Sequence, residues 1–520
     1  MKAFLMFRDR DFDPQQILTK RENKFNGLET DELLKLQQLL PWNEKALIQD
    51  LGLDNLFNAL ARGDNFLYET AQVTVLSSIT DVDIILYRQN ILRDCLKHKV
   101  VVRDIYNLIV ETIEKEKADR WWGLSSKFPS SILYQAVGKL RIFFEMLKKL
   151  RTIADQNLEL FESEGFVNLF ESLSRELSDD YLVQIDYHLR QLKFDDGILI
   201  SAKLGKGNKG TNYILHKMPE DDRGWLGRLL RKKLEGYTYQ LHPRDEEGAR
   251  ALSKLRNESI NLVANALAQS TDHIMNFIQA LRTELAFYIG CLNLYETLCE
   301  MKEPICFPIP TIQRERQLSF TGLYDVCLAL SKNSKVVSND LNAGGKNLIV
   351  ITGANTGGKS TFLRSLGTTQ LMMQAGMFVP GETFTAEVCE GIATHFKREE
   401  DTTMESGKLD EELNRMSEIV DRLTSKSMVL CNESFAATNE REGSEIAKQI
   451  TNALVEKGIK VTYVTHQFEF AHDLYKKRME NAVFLRAERL EDGTRTFRVV
   501  KGEPLQTSYG QDLYNIIFPT

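Results

Sequence analysis

Gly353-Ala354-Asn355-Thr356-Gly357-Gly358-Lys359-Ser360, followed by Thr361, decides how the second half of this 520-residue chain is read. It comes directly after the apolar run Asn347 to Ile351 and directly before a helical pattern, Phe362 to Ala375. That strand–loop–helix context is what the spacing G-x-x-x-x-G-K-[ST] requires if it is to hold phosphate. Glycines let successive backbone N–H groups close around phosphate oxygens, and the N-terminus of the following helix adds partial positive charge. Lys359 is placed to reach the β- and γ-phosphates, and the Ser360 hydroxyl to ligate Mg²⁺.

Two more strand ends belong with this loop. Met428 to Cys431 is an apolar run that terminates in Asn432-Glu433. In a nucleotide-hydrolysing sheet, acidic or amide residues at such an end hold Mg²⁺ through water and orient the attacking water. Glu433 is the candidate general base. Asn432 stands where aspartate is usual, which predicts weaker Mg²⁺ attraction or slower hydrolysis. Lys460 to Thr465 is a third run and ends at His466, a candidate γ-phosphate sensor; the alternative for a lone histidine is a structural role. Ser406-Gly407, ahead of Lys408, could offer N–H groups to a phosphate of a neighbouring subunit. Apolar strands separated by helix-length stretches indicate a parallel sheet.

Upstream the texture is helical. Ala249 to Ile289 contains neither Gly nor Pro. Ile260, Val263, Leu267, Ile274, Phe277, Leu281, Leu285 and Tyr288 recur at three- and four-residue spacing, with Ser270 in the one gap. Such a helix is roughly 60 Å long. Val167 to Leu192 has the same periodicity and is its candidate partner. Between them, Ile198 to Ala202 and Thr211 to Leu215 flank a glycine- and lysine-rich turn and read as a hairpin. Lys203, Lys206, Lys209, Arg223, Arg228, Arg231, Lys232 and Lys233 make this tip basic. All of these but Arg223 are candidate nucleic-acid phosphate contacts; the alternative is a solvated charged loop. Pro304, Pro308 and Pro310 mark a linker, so the main boundary is placed near 304–315. The fold class expected is α plus α/β, in several domains.

Composition narrows the setting. Apolar residues at 42% and charged residues at 27% are those of a globular protein, and no apolar run is long enough for a transmembrane helix. The start, Met1 to Asp9, reads as a short strand running into charge and lacks the features of a signal peptide. Seven dispersed cysteines without a Cys-x-x-Cys pair suit reduced thiols in a cytoplasmic protein. A net charge of −7 argues against coating nucleic acid by bulk charge, and leaves a local basic tip free to touch it.

Val337 to Leu341, Ile351 to Thr361, Phe378-Val379-Pro380, Thr465-His466 and Ser508-Tyr509-Gly510 resemble, in order and spacing, the ATPase domain of the MutS family. The out-and-back helical region with its tip is similar to the MutS core, lever and clamp. The resemblance implies an ABC-type ATPase using ATP and Mg²⁺, a homodimer in which both subunits contact each nucleotide, and DNA as partner. By match, Asn339 and Gly353 to Thr361 would bind nucleotide, Glu433 would be the base and His466 the sensor. It also implies the layout: residues 1–70 of no assigned role, 71–303 as core and lever with a tip at about 194–241, and 311–520 as the ATPase. Two departures stand out. Asn432 replaces the family's aspartate, and Lys408-Leu409-Asp410-Glu411 replaces its serine-rich stretch. The segment before the core is also short for mismatch-reading and connector domains, and the chain end leaves little room for a nuclease domain. Phe143-Phe144-Glu145 has the letters of the family's mismatch wedge, but it lies in a helical tract and reads as core. The leading expectation is an ATP-driven clamp on structured or branched DNA. A nucleotide-switched scaffold with little turnover and an ATPase acting on structured RNA or ribosomes are the alternatives.

Overall fold

The structure, a computed structural model, describes residues 2–10, 12, 40–120, 128–194, 197–216, 239–312, 316–398 and 407–506. It is a mixture of helices and several sheets, divided into two compact units. One comprises residues 1–3, 100–162 and 166–282; the other comprises 4–99, 163–165 and 283–520.

In chain order the helices up to the tip are α1 (Glu44–Leu51), α2 (Leu53–Ala61), α3 (Asn65–Leu76), α4 (Val82–Lys97), α5 (Lys99–Arg120), α6 (Pro129–Asn157), α7 (Glu164–Glu176) and α8 (Asp179–Gln191). The antiparallel hairpin β1 (Leu199–Leu204) and β2 (Gly210–His216) follows, then α9 (Glu246–Glu300). The expected helix at 249–289 is thus a 55-residue helix. Its seam includes Ala264, Thr271 and Ile278, all buried, beside the positions read from the sequence. Thr271, not Ser270, fills the gap: it is buried with its hydroxyl donating back to the Leu267 carbonyl at 2.7 Å, while Ser270 is exposed. In the first unit Ile260 and Ala264 of α9 pack with Leu133, Val137 and Phe144 of α6 and Leu189 of α8. Phe143 and Phe144 are buried in α6 and belong to the core, while Glu145 is exposed. The tract 167–192 is two helices, not one. Ser178 stops α7 and caps α8 by accepting the Tyr181 N–H, and Asp179 and Asp180 complement the dipole of the new first turn.

The second unit holds the sheets. Its further helices are α10 (Val326–Lys332), α11 (Lys359–Ala375), α12 (Lys408–Arg422), α13 (Glu440–Glu456) and α14 (Phe468–Lys476). Its strands are β3 (Ile305–Cys306), β4 (Ile309–Thr311), β5 (Leu318–Leu323), β6 (Asn339–Asn342), β7 (Leu348–Thr352), β8 (Val379–Pro380), β9 (Thr383–Glu387), β10 (Ile392–Phe396), β11 (Met428–Asn432), β12 (Lys460–Val464), β13 (Ala482–Arg489) and β14 (Arg495–Lys501). The main sheet has the order β10-β11-β12-β7-β13-β14, parallel through β13 with β14 antiparallel at its edge. Every residue of β7 is buried, as expected of a central parallel strand covered on both faces. A second sheet, β4-β9-β5-β6, carries Asn339.

The N-terminal segment corrects one expectation, since residues 2–10 form no strand. Side chains supply the backbone pairing that a neighbouring strand would have given. Buried Glu284 accepts the Leu5 and Met6 N–H groups, Tyr288 donates to the Leu5 carbonyl, and buried Arg88 donates to that of Met6 at 3.0 Å. Among the described residues no helix is long and apolar enough to cross a membrane.

Candidate functional site

The chain leaves β7 at Gly353 with φ 108° and enters α11 through Gly358 with φ 89°, values that only glycine adopts without strain. A second constraint acts on this loop from the β13–β14 hairpin. A side chain at Gly357 would come within 2.7 Å of the Ala487 Cβ, and one at Gly358 within 2.5 Å of the Phe497 carbonyl oxygen. These glycines therefore serve close approach of the hairpin as well as loop curvature.

Lys359 opens α11 and its ammonium turns back over the loop, donating to the Gly353 and Ala354 carbonyls, each at 2.9 Å. Burial pushes the amine down to about 8, against the pull of the Glu433 carboxylate and with a further push from Arg495. Ser360 donates to Asn432 Oδ1 at 3.0 Å, which joins the loop to the end of β11. Glu433 follows in the left-handed region, φ 55°, with its N–H on the Val464 carbonyl of β12. Its Oε1 lies 2.8 Å from His466 Nε2. An imidazole nitrogen facing a carboxylate carries the proton, so Nε2 donates there. The 3.4 Å approach of Lys359 Nζ to the same nitrogen is then a contact between two donors. The His466 bond holds the Glu433 carboxyl below the usual carboxylate range, with burial opposing.

Lys359, Ser360, Asn432, Glu433 and His466 thus converge at the carboxyl ends of three adjacent parallel strands, where open α/β sheets bind ligands. Asn339 has a different engagement: its Oδ1 accepts the Val499 N–H of β14 at 2.7 Å. It lines a cleft of about 550 Å³ with Asp340, Thr383, Arg498 and Lys501. Gly407 is the N-cap residue of α12, whose first turn contains Asp410 and Glu411. That negative charge opposes an anion at the helix start. Ser406, the basic residues Arg223, Arg228, Arg231, Lys232 and Lys233, and Ser508 to Gly510 lie outside the described residues. Lys203, Lys206 and Lys209 are exposed on the β1–β2 hairpin of the other unit.

One site residue escaped sequence reasoning. Arg495, from β14, donates through Nη1 to Thr356 of the loop, and its Nη2 is buried with no partner among the described residues. No motif spacing could have announced a pairing across 139 positions.

Both the helical region and the region that carries the site have relatives. A family description of the MutS2 N-terminal domain matches residues 80–301, and one of MutS domain V matches residues 349–518. The chain belongs to the MutS family. The DNA mismatch repair protein MutS of Thermotoga neapolitana is 33% identical over 205 residues, covering 39% of this chain and 25% of the relative. That of Thermus caldophilus is 26% identical over 381 residues, 71% of this chain and 45% of the relative. That of Streptococcus mutans is 24% identical over 374 residues, covering 71% and 41%. The chain therefore spans less than half the length of these MutS relatives. The MutS2 N-terminal match begins two residues before α4 and ends one after α9. The MutS domain V match begins within β7 and contains all five converging residues.

Proposed function

We propose that this MutS-family chain is a Mg²⁺-dependent ATPase, over residues 311–520, that acts as a homodimeric clamp on structured or branched DNA. The observation that carries the reading is the convergence of Lys359, Ser360, Asn432, Glu433 and His466 around one glycine loop. The loop N–H groups and Lys359 bind the phosphate chain, Glu433 takes the proton of the attacking water, and the His466 Nε2–H turns from Glu433 to the terminal phosphate. DNA as partner follows from the names of the MutS relatives.

Mg²⁺ fits the donor set, which consists of oxygens alone: the Ser360 hydroxyl and the Asn432 amide oxygen, 3.0 Å apart. Ser360 would hold it directly and Asn432 through water. When bound, the ion neutralises charge on the phosphate oxygens. Asn432 supplies no charge of its own, and its oxygen accepts the proton of the very hydroxyl assigned to the metal. That pairing favours a second reading, in which the chain binds ATP, switches and recruits a partner with little turnover.

The deciding experiment measures ATP turnover with and without branched DNA at low salt, in wild type and Glu433→Gln. Turnover that responds to DNA and needs Glu433 supports the clamp. Tight ATP binding without turnover supports the switch, and Asn432→Asp then becomes the variant to restore hydrolysis. Structured RNA that displaces branched DNA in competition would move the target to RNA.

Two expected outcomes follow from the charges. Because Lys359 is pushed down to about 8, it is part neutral in the free protein near that pH, and a bound triphosphate restores its charge. ATP binding is therefore expected to take up protons at pH 8 to 9 and to weaken as pH rises through about 8. Calorimetry in buffers of different ionisation enthalpy measures both. Replacing Lys203, Lys206 and Lys209 together with alanine is expected to lower the slope of log affinity against log salt by about 2 to 3 for duplex-containing DNA. An unchanged slope assigns the hairpin to solvent.

A further inference from the structure

The backbone after β11 needs outside support. Glu433 has φ 55° and Phe435 has φ 61°, and each such non-glycine residue costs about 1 to 2 kcal/mol. The structure supplies that support from five directions. Tyr463 of β12 donates to the Ser434 carbonyl at 2.9 Å, and Gln467 donates to the Phe435 carbonyl at 3.0 Å. The Glu412 carboxylate of α12 faces the N–H groups of Phe435 and Ala437. Gly443 of α13 lies so close that a side chain there would sit 2.4 Å from the Phe435 carbonyl oxygen. The fifth direction is His395 of β10, paired in register with Cys431 two positions before the base.

His395 is fully buried, and both of its ring nitrogens are engaged. Nε2 lies 3.0 Å from the Glu412 carbonyl, which can only accept, so Nε2 carries a proton. Nδ1 lies 2.7 Å from the Ser434 hydroxyl, and that hydroxyl is also 2.7 Å from the His395 carbonyl. Burial pushes the imidazole down to about 4, so it is neutral and the one Ser434 hydroxyl proton is shared between Nδ1 and the His395 carbonyl. The ring stacks on Phe435 at 5.3 Å between centroids. An apolar side chain could fill this space, but only directional bonds fix the loop to a fraction of an ångström. One imidazole thereby links the strand beside β11, the loop carrying the base, and α12 at the Glu412 carbonyl.

We propose that His395, acting with Glu412 through Ser434 and Phe435, is a positioning residue that sets the Glu433 carboxylate for water activation. This rests on the reading of Glu433 as the base. Its test is the turnover and ATP affinity of the full chain for His395→Leu and His395→Asn, alone and combined with Glu433→Gln. Asparagine keeps an oxygen near the place of Nδ1 and leucine keeps none. In His395→Leu, kcat is expected to fall about thirtyfold with Kd for ATP unchanged, since small misplacement of a reacting group costs rate and not affinity. His395→Asn is expected to recover most of that loss, and neither change should slow Glu433→Gln further.

Unchanged kcat in His395→Leu, a matching loss of affinity, or a further fall on the Glu433→Gln background would overturn the proposal. If His395→Leu does not fold, Tyr463→Phe loosens the same loop with the ring retained. It is then expected to lower kcat about fivefold with the same non-additivity, and unchanged kcat rejects the idea. Wild-type turnover that needs Glu433 but ignores His395 removes this proposal alone. Absence of wild-type turnover removes the reading of Glu433 and the proposal with it.

Discussion

Glu433→Gln is expected to slow ATP hydrolysis by about 10²- to 10⁴-fold while leaving ATP affinity within a few-fold of wild type. Glutamine preserves shape and can still accept the His466 Nε2–H, so the pair at 2.8 Å survives as a neutral hydrogen bond. What disappears is a group able to take a proton from water. The same pair bears on the speed of the wild type. His466 holds the Glu433 carboxyl ionised below its usual range, with burial resisting, so the base stays charged over the whole working pH range. A carboxylate made more acidic is a weaker base, so modest turnover is expected even with the residue intact. The acid limb of the rate profile falls correspondingly below the usual carboxylate range. Single-turnover kinetics beside equilibrium nucleotide binding checks the claim. Wild-type rates in Glu433→Gln would move the base elsewhere.

Lys359→Ala is expected to act on affinity instead, weakening ATP binding by about 10²- to 10³-fold, or about 3 to 4 kcal/mol. Lys359 is 5% exposed and its ammonium is satisfied by two loop carbonyls, which places it inside the loop and not on its rim. The sign of its effect on stability differs. Its amine lies below the ordinary lysine value, so the folded state disfavours the charged form. This opposes folding below the unfolded pKa, most fully below about 8, and the opposition fades as pH rises between the two values. Removing the amine therefore relieves that cost at pH 7. The ligand-free melting temperature is expected to hold or rise, while the stabilisation added by ATP and Mg²⁺ is lost. Thermal melts with and without nucleotide separate the two effects. A variant that melts earlier but keeps its ATP-induced shift would show a structural lysine.

Some of this was written locally. The glycine loop, the apolar strands before it and before Asn432 and His466, and the long helix are all signalled by residues a few positions apart, because hydrogen-bonding in loops and helices is local. The start of α8 was equally local, in Ser178-Asp179-Asp180, but the apolar periodicity running through 167–192 masked it. By itself the sequence determined which residues could hold phosphate and which strand ends could serve them. Only the tertiary structure decided that Arg495 meets Thr356, that Glu284 and Arg88 take up the N-terminal segment, and that His395 and Glu412 support the loop after Glu433. Those links join residues tens to hundreds of positions apart. They arise from strand order and burial, where each enclosed polar group must find whichever partner the packing brings to it, and no spacing along a chain encodes that choice.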